Sequence, residues 1–205
     1  MRIYLTRHGE TKWNKENRLQ GWKDSDLTTI GEKNATALGL RLKEIDINKI
    51  YTSPSVRAVH TANLIRGSRD IRIQKVEELR EIYFGLWEGR TKESIVAEYK
   101  SEYHHFWNSP HLYNPSNHEG ESLQDLQTRV LSALHMIIDQ DESRSVLIVT
   151  HAVVIRVLLS YVLALSFEEL WKPPFIHGAS LTILEYDEGE FEVKGLGDTN
   201  HLIEV

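Results

Sequence analysis

The run Val146-Leu147-Ile148-Val149 limits what this chain can fold into more than any other stretch. It is apolar at every position, and a strand without alternation is one buried on both faces. An apolar helix pattern follows directly after His151, so layers are required above and below the strand. Further strand-like runs lie at 3–6, 49–52, 71–76, 180–186 and 191–196, with Asp187-Glu188-Gly189-Glu190 as a hairpin turn between the last two. Helical spacing fills the gaps: Leu38, Leu42 and Ile45; Val56, Val59 and Leu64; Ile95, Tyr99, Tyr103 and Phe106; and, most regularly, Leu123, Leu126, Val130, Leu134 and Ile137. Alternating strands and helices predict a three-layer α/β/α sandwich around a mostly parallel sheet.

Local signals mark the joints. Ser122 with Asp125, and Ser166 with Glu169, have the spacing of helix-capping boxes. Residues 108–120 hold Pro110 and Pro115 and read as a loop between two parts of a small helical cap. The expectation is one domain over 1–205, with 82–120 as a cap insertion.

Composition narrows the chemistry. Of 205 residues none is cysteine, which removes disulfides, thiolate metal sites and cysteine nucleophiles together. The net charge is -6 and the basic residues are scattered, so no nucleic-acid partner is expected, and an anionic substrate would need a local positive pocket. The N-terminal residues enter a strand pattern at once, and no apolar run approaches membrane-spanning length, so a cytoplasmic location is expected, with no membrane partner. In that setting Asn34-Ala35-Thr36 is a chance match to the glycosylation sequon.

Four segments carry candidate chemistry, each after a predicted strand, where open α/β sheets bind ligands. They are Arg7-His8-Gly9-Glu10-Thr11; Ser53-Pro54-Ser55-Val56-Arg57; Arg80-Glu81-Ile82; and Thr150-His151-Ala152. Singly, each has an ordinary explanation: a structural His beside an Arg, a surface Arg, a solvent-facing Glu, a His capping a helix. Jointly they gather two His and two Arg at strand ends of an acidic protein. Arginine's planar fork matches the oxygens of a phosphoryl group. With no Cys, no Gly-x-x-x-x-Gly-Lys loop and no Asp cluster, His8 is the best nucleophile available.

These segments resemble the signature of the histidine phosphatase superfamily, also called phosphoglycerate mutase-like. The likeness extends through Trp13-Asn14, Gln20-Gly21-Trp22, Leu27-Thr28 with Gly31, Thr52-Ser53-Pro54 with Arg57-Ala58 and Thr61-Ala62, Gly120-Glu121-Ser122 and Thr150-His151. Leu170-Trp171-Lys172-Pro173-Pro174 and Thr199-Asn200-His201 are most similar to its small broad-specificity bacterial phosphatases. The resemblance implies that His8 is phosphorylated, that Arg7, Arg57 and His151 hold phosphoryl oxygens with Asn14 as a further donor, and that Glu81 is the general acid and then base. Gln20, Gly21 and Ala152 would lie at the substrate or phosphate. It implies no cofactor and no metal. The partner would be a small phosphate ester, and the protein a monomer or homodimer.

The segment after Glu81 departs from the mutase pattern. Mutases of the superfamily typically continue the acid with Arg-His-Tyr-Gly, whereas this chain reads Ile82-Tyr83-Phe84-Gly85. Ile82 removes the Arg that would grip a substrate carboxylate, and the chain has little tail to shield a phosphohistidine. Hydrolysis of small phosphomonoesters is therefore expected. The alternatives are a mutase, a phosphatase dedicated to one metabolite such as a sugar bisphosphate or α-ribazole phosphate, and a non-catalytic binder of phosphorylated partners, which has no need of Glu81. His104, His105, His111 and His118 do not have convincing metal-ligand spacing, and about half of Trp87, Trp107, Trp171, Tyr103 and Phe106 should be core.

Overall fold

A computed structural model describes residues 1–140 and 144–203. Its strands are β1 (Arg2–Arg7), β2 (Lys49–Thr52), β3 (Arg72–Lys75), β4 (Ser145–Thr150), β5 (Leu181–Asp187) and β6 (Glu190–Asp198). They form one sheet in the order β3-β2-β4-β1-β5-β6. β1 to β4 run parallel, while β5 and β6 close one edge antiparallel. The helices are α1 (Lys12–Lys15), α2 (Thr29–Arg41), α3 (Val56–Arg66), α4 (Lys92–Glu98), α5 (Lys100–Asn108), α6 (Leu123–Gln140) and α7 (Ala152–Val162).

The strand pleat assigns residues to layers. Ile3 and Leu5 of β1, with Val146 and Ile148 of β4, face a core made with Leu126, Val130 and Leu134 of α6 and Val154 and Leu158 of α7. Tyr4, Leu147 and Val149 point the other way, onto Leu38 of α2 and Ala58, Ala62 and Ile65 of α3. All four residues of the 146–149 run are 0% exposed, as a strand sandwiched between helices requires. Each such burial stabilises by roughly 1.5–3 kcal/mol.

Three helical details differ from the apolar pattern. α2 stops at Arg41, so Ile45 lies in the turn beyond it. α3 buries Arg57, Ala58, Thr61, Ala62 and Ile65, while Val56 is 64% exposed. That face is lined by small residues because α3 packs closely on α2, where a Cβ on Gly39 would press on the Ile65 backbone. The third helix is two, α4 and α5, separated at Tyr99, whose φ of -123° and ψ of 45° leave the helical region. Residues 108–120 hold two single 3-10 turns, Pro110–Leu112 and Ser116–His118. Phe84, Trp87, Phe106 and Tyr113 of the 82–120 segment join the same hydrophobic cluster as α6 and α7. Among the described residues no helix is long and apolar enough to cross a membrane.

Candidate active site

Three adjacent strands end together. His8 follows β1 and continues its ladder by donating its N–H to Thr150 O at 2.9 Å, and Ser53 beyond β2 donates to Val149 O at 3.0 Å. His151 follows β4. The parallel register therefore brings His8 and His151 side by side, ring centroids 5.2 Å apart and edge to face. β4 enters between β1 and β2, so this is the point where the strand order reverses and a crevice opens. Gly9 is demanded here: a Cβ on it would stand 2.5 Å from Gly31 O, where the chain crosses the start of α2.

His8 is 3% exposed and its Nδ1 lies 2.8 Å from Gly9 O. A carbonyl only accepts, so Nδ1 carries the proton and Nε2 keeps a lone pair. Burial, then the charges of Arg57 and Arg7, hold the ring well below the ordinary histidine pKa. The ring is thus neutral, with Nε2 unprotonated.

Arg57 is 1% exposed, an unusual depth for a guanidinium. Nη1 donates to Lys23 O at 2.8 Å and to Asp24 Oδ1 at 2.7 Å, and Nη2 to Gly21 O at 2.7 Å. Gly21 holds a φ of +54°, and a Cβ there would collide with the buried Glu88 carboxylate. Glu88 anchors this loop by accepting the Trp22 N–H at 2.7 Å and the Phe84 N–H at 3.2 Å. Arg7 donates Nη1 to Ile176 O at 3.0 Å. The Nε atoms of Arg7 and Arg57 are buried and donate to no protein group. Buried N–H groups without partners are costly.

Glu81 is 8% exposed, and burial raises its carboxyl above the usual range. Oε1 accepts the Ile82 N–H at 3.0 Å and Oε2 the Val153 N–H at 3.4 Å. The start of α7 therefore faces the Glu81 carboxylate.

The remaining sequence candidates fall around this centre. Asn14 Oδ1 accepts from the Thr11 N–H at 3.0 Å and the Thr11 hydroxyl at 3.1 Å, which leaves the amide NH2 as its free donor. Gln20 is buried, with Oε1 lacking a protein partner. Ala152 is the first residue of α7. Arg7 and Asn14 line a cleft of about 400 Å³ together with Tyr103, Trp107 and Phe175. Trp87 and Phe106 are fully buried, and Trp171 donates Nε1 to Phe106 O at 2.7 Å. His118 is committed to packing: it stacks on Trp87 at 3.8 Å, with Nε2 3.1 Å from Tyr113 Oη and Nδ1 3.0 Å from Phe84 O.

Sequence reasoning quoted Ser53, Ser55 and Thr61 within its motifs but gave them no role. Ser53 Oγ and Ser55 Oγ lie 2.8 and 3.3 Å from His151 Nε2, and Thr61 Oγ1 accepts the Gly9 N–H at 3.0 Å. Asp24 bears no motif that singles it out. Only the fold brings it to Arg57.

The sequence pattern described as the histidine phosphatase superfamily (branch 1) matches residues 3–199. The chain is 32% identical over 209 aligned residues to a probable phosphoglycerate mutase GpmB of Escherichia coli O1:K1 / APEC, covering 98% of this chain and 95% of the relative. Bacillus stearothermophilus YhfR is similar in structure, with a TM-score of 0.95 and 47% identity over 98% of each chain. The α-ribazole phosphatase of Shigella flexneri matches with a TM-score of 0.87 and 26% identity over 100% of this chain and 99% of that one. A phosphoserine phosphatase of Entamoeba histolytica matches at 0.85 and 27% over 98% and 99%.

Proposed function

The chain belongs to the histidine phosphatase superfamily and is a phosphoric monoester hydrolase, and from its site we propose that it cleaves small phosphomonoesters without a metal, through a phosphohistidine on His8. The observation that carries this reading is the neutral His8, its Nε2 lone pair free, set beside Arg7 and the buried Arg57, whose Nε atoms are buried and lack partners.

The steps follow from the groups present. His8 Nε2 attacks phosphorus in line while Arg7 and Arg57 neutralise the equatorial oxygens, the charge that phosphoryl transfer most needs balanced. As the P–O bond breaks, Glu81 gives its proton to the leaving alkoxide, and the alcohol departs. Glu81, now a carboxylate, takes a proton from water, and the oxygen of that water displaces Nε2. Inorganic phosphate leaves, with Glu81 protonated and His8 neutral again. His151 lies against both His8 and Arg57, and its Nδ1 accepts from Arg57 and so orients the arginine toward the phosphoryl group. Asn14, Gln20, Gly21 and Ala152 are the further candidates for contacts with the phosphate or the alcohol portion.

Hydrolysis is favoured over mutase transfer by Ile82. Its side chain is 0% exposed and packed in the main core, so no cation stands at this position for a substrate carboxylate. The cleft walls of Tyr103, Trp107 and Phe175 suit a small organic alcohol portion.

The test is release of inorganic phosphate from p-nitrophenyl phosphate after exhaustive treatment with EDTA. Undiminished turnover is expected. Loss of turnover that a divalent ion restores would overturn the metal-independent mechanism, and absence of any turnover would overturn the enzyme reading.

A further inference from the structure

The segment that carries Glu81 has no strand or helix of its own. Residues 81–84 lie outside any ladder, so their backbone groups must find other partners. Three carbonyls around the acid converge on one side chain. Arg129, on α6, donates Nη1 to Glu78 O at 2.6 Å and Arg80 O at 2.7 Å, and Nη2 to Glu81 O at 2.9 Å. Glu121 aims the guanidinium with a two-bond fork, Nε to Oε1 at 2.6 Å and Nη2 to Oε2 at 2.8 Å. Glu121 also grips the far side of the acid: Oε2 accepts the Tyr83 N–H at 3.0 Å, and its own N–H donates to Tyr83 O at 2.7 Å. The pair is mostly shielded, with side-chain exposures of 19% and 13%.

We propose that Arg129, aimed by Glu121, is the positioning residue that sets the Glu81 carboxyl at the leaving oxygen; the inference rests on the reading of Glu81 as general acid. The Ile82 and Val153 N–H groups turn the carboxylate, but they do not fix the backbone from which it hangs. Trp22 Nε1 also donates to Glu81 O at 2.9 Å, but only the planar fork of Arg129 ties three carbonyls of the segment and a carboxylate together at once. Lysine has the charge but not the fork. A displacement of about 1 Å at a reacting group can cost about 10²-fold in rate.

A lost clamp and a merely loosened fold differ in which substrate suffers. Arg129→Lys is assayed on glycerol 2-phosphate, whose alkoxide needs a proton to leave, and on p-nitrophenyl phosphate, whose phenolate does not. The expectation is a loss of about 10- to 10²-fold on the alkyl ester with p-nitrophenyl phosphate turnover within about threefold of wild type. Placed in a Glu81→Gln background, Arg129→Lys should slow the alkyl ester no further, because both changes remove the same function. Should Arg129→Lys not fold, Glu121→Gln loosens the clamp from its other end, with the same expected pattern. Equal losses on the two esters, or further slowing in the Glu81→Gln background, would overturn the clamp. Equal losses in Glu81→Gln itself would overturn the acid reading instead, so the two failures are told apart.

Discussion

Arg57 donates an Nη2–H to Nδ1 of His151 across 3.2 Å. A guanidinium only donates, so Nδ1 must hold a lone pair, and the neutral ring carries its proton on Nε2, 2.8 Å from Ser53 Oγ. Burial, then the charge of Arg57, holds His151 well below the ordinary histidine pKa. The positive charge in the site therefore belongs to the arginines and not to the histidines.

Arg57→Lys follows directly. One ammonium cannot serve Gly21 O, Lys23 O, Asp24 Oδ1 and His151 Nδ1 and also meet a phosphoryl oxygen. Each charge-assisted bond contributes about 1.5–3 kcal/mol, so kcat/KM should fall by about 10²-fold or more. Steady-state assay of the folded variant is the check, and a loss under about threefold would remove Arg57 from phosphoryl binding.

The pH profile follows from two opposed shifts. Glu81 must be protonated to act as acid, and burial raises its pKa, so activity is lost as pH rises through that raised value. His8 must be neutral, and burial with Arg57 and Arg7 lowers its pKa far below normal, so activity is lost only as pH falls well below about 6.5. A bell in kcat/KM with its optimum on the acidic side is expected. An alkyl-ester profile that keeps climbing above pH 8 would remove Glu81 as the acid.

Stability should move the other way on acidification. His8 and His151 are buried neutral, with folded pKa values below the unfolded ones. Their stability is complete above the unfolded value and declines as pH falls below it, by about 1.4 kcal/mol per pH unit for each ring. The raised Glu81 opposes part of this. Thermal unfolding from pH 7.5 to 5.5 should show a falling Tm, less steep in His151→Gln. An equal slope in that variant would mean the ring is not held neutral.

The two histidines at the centre of the site were legible because they sit at strand ends, and strands announce themselves by unbroken apolarity, as 146–149 does. The parallel order then brings His8 and His151 together without any contact having to be guessed. α3 was legible as a helix but not in its buried face. Its inner side is Arg57, Ala58, Thr61 and Ala62, and apolarity cannot identify a face built from small residues and a guanidinium. Asp24, Glu88 and Arg129 were not singled out for a related reason. Each acts through a partner far away in the chain, and nothing in the local pattern records the pairing.

The phosphoryl intermediate itself tests the central claim most directly. Enzyme mixed with substrate labelled in its phosphoryl group is quenched within milliseconds at alkaline pH, digested and mapped by mass spectrometry. Because Nδ1 of His8 is held by Gly9 O, the account predicts an acid-labile phosphoryl group on Nε2 of His8, absent in His8→Ala, which should have lost essentially all turnover. A label on His151, or full turnover by His8→Ala, would contradict it.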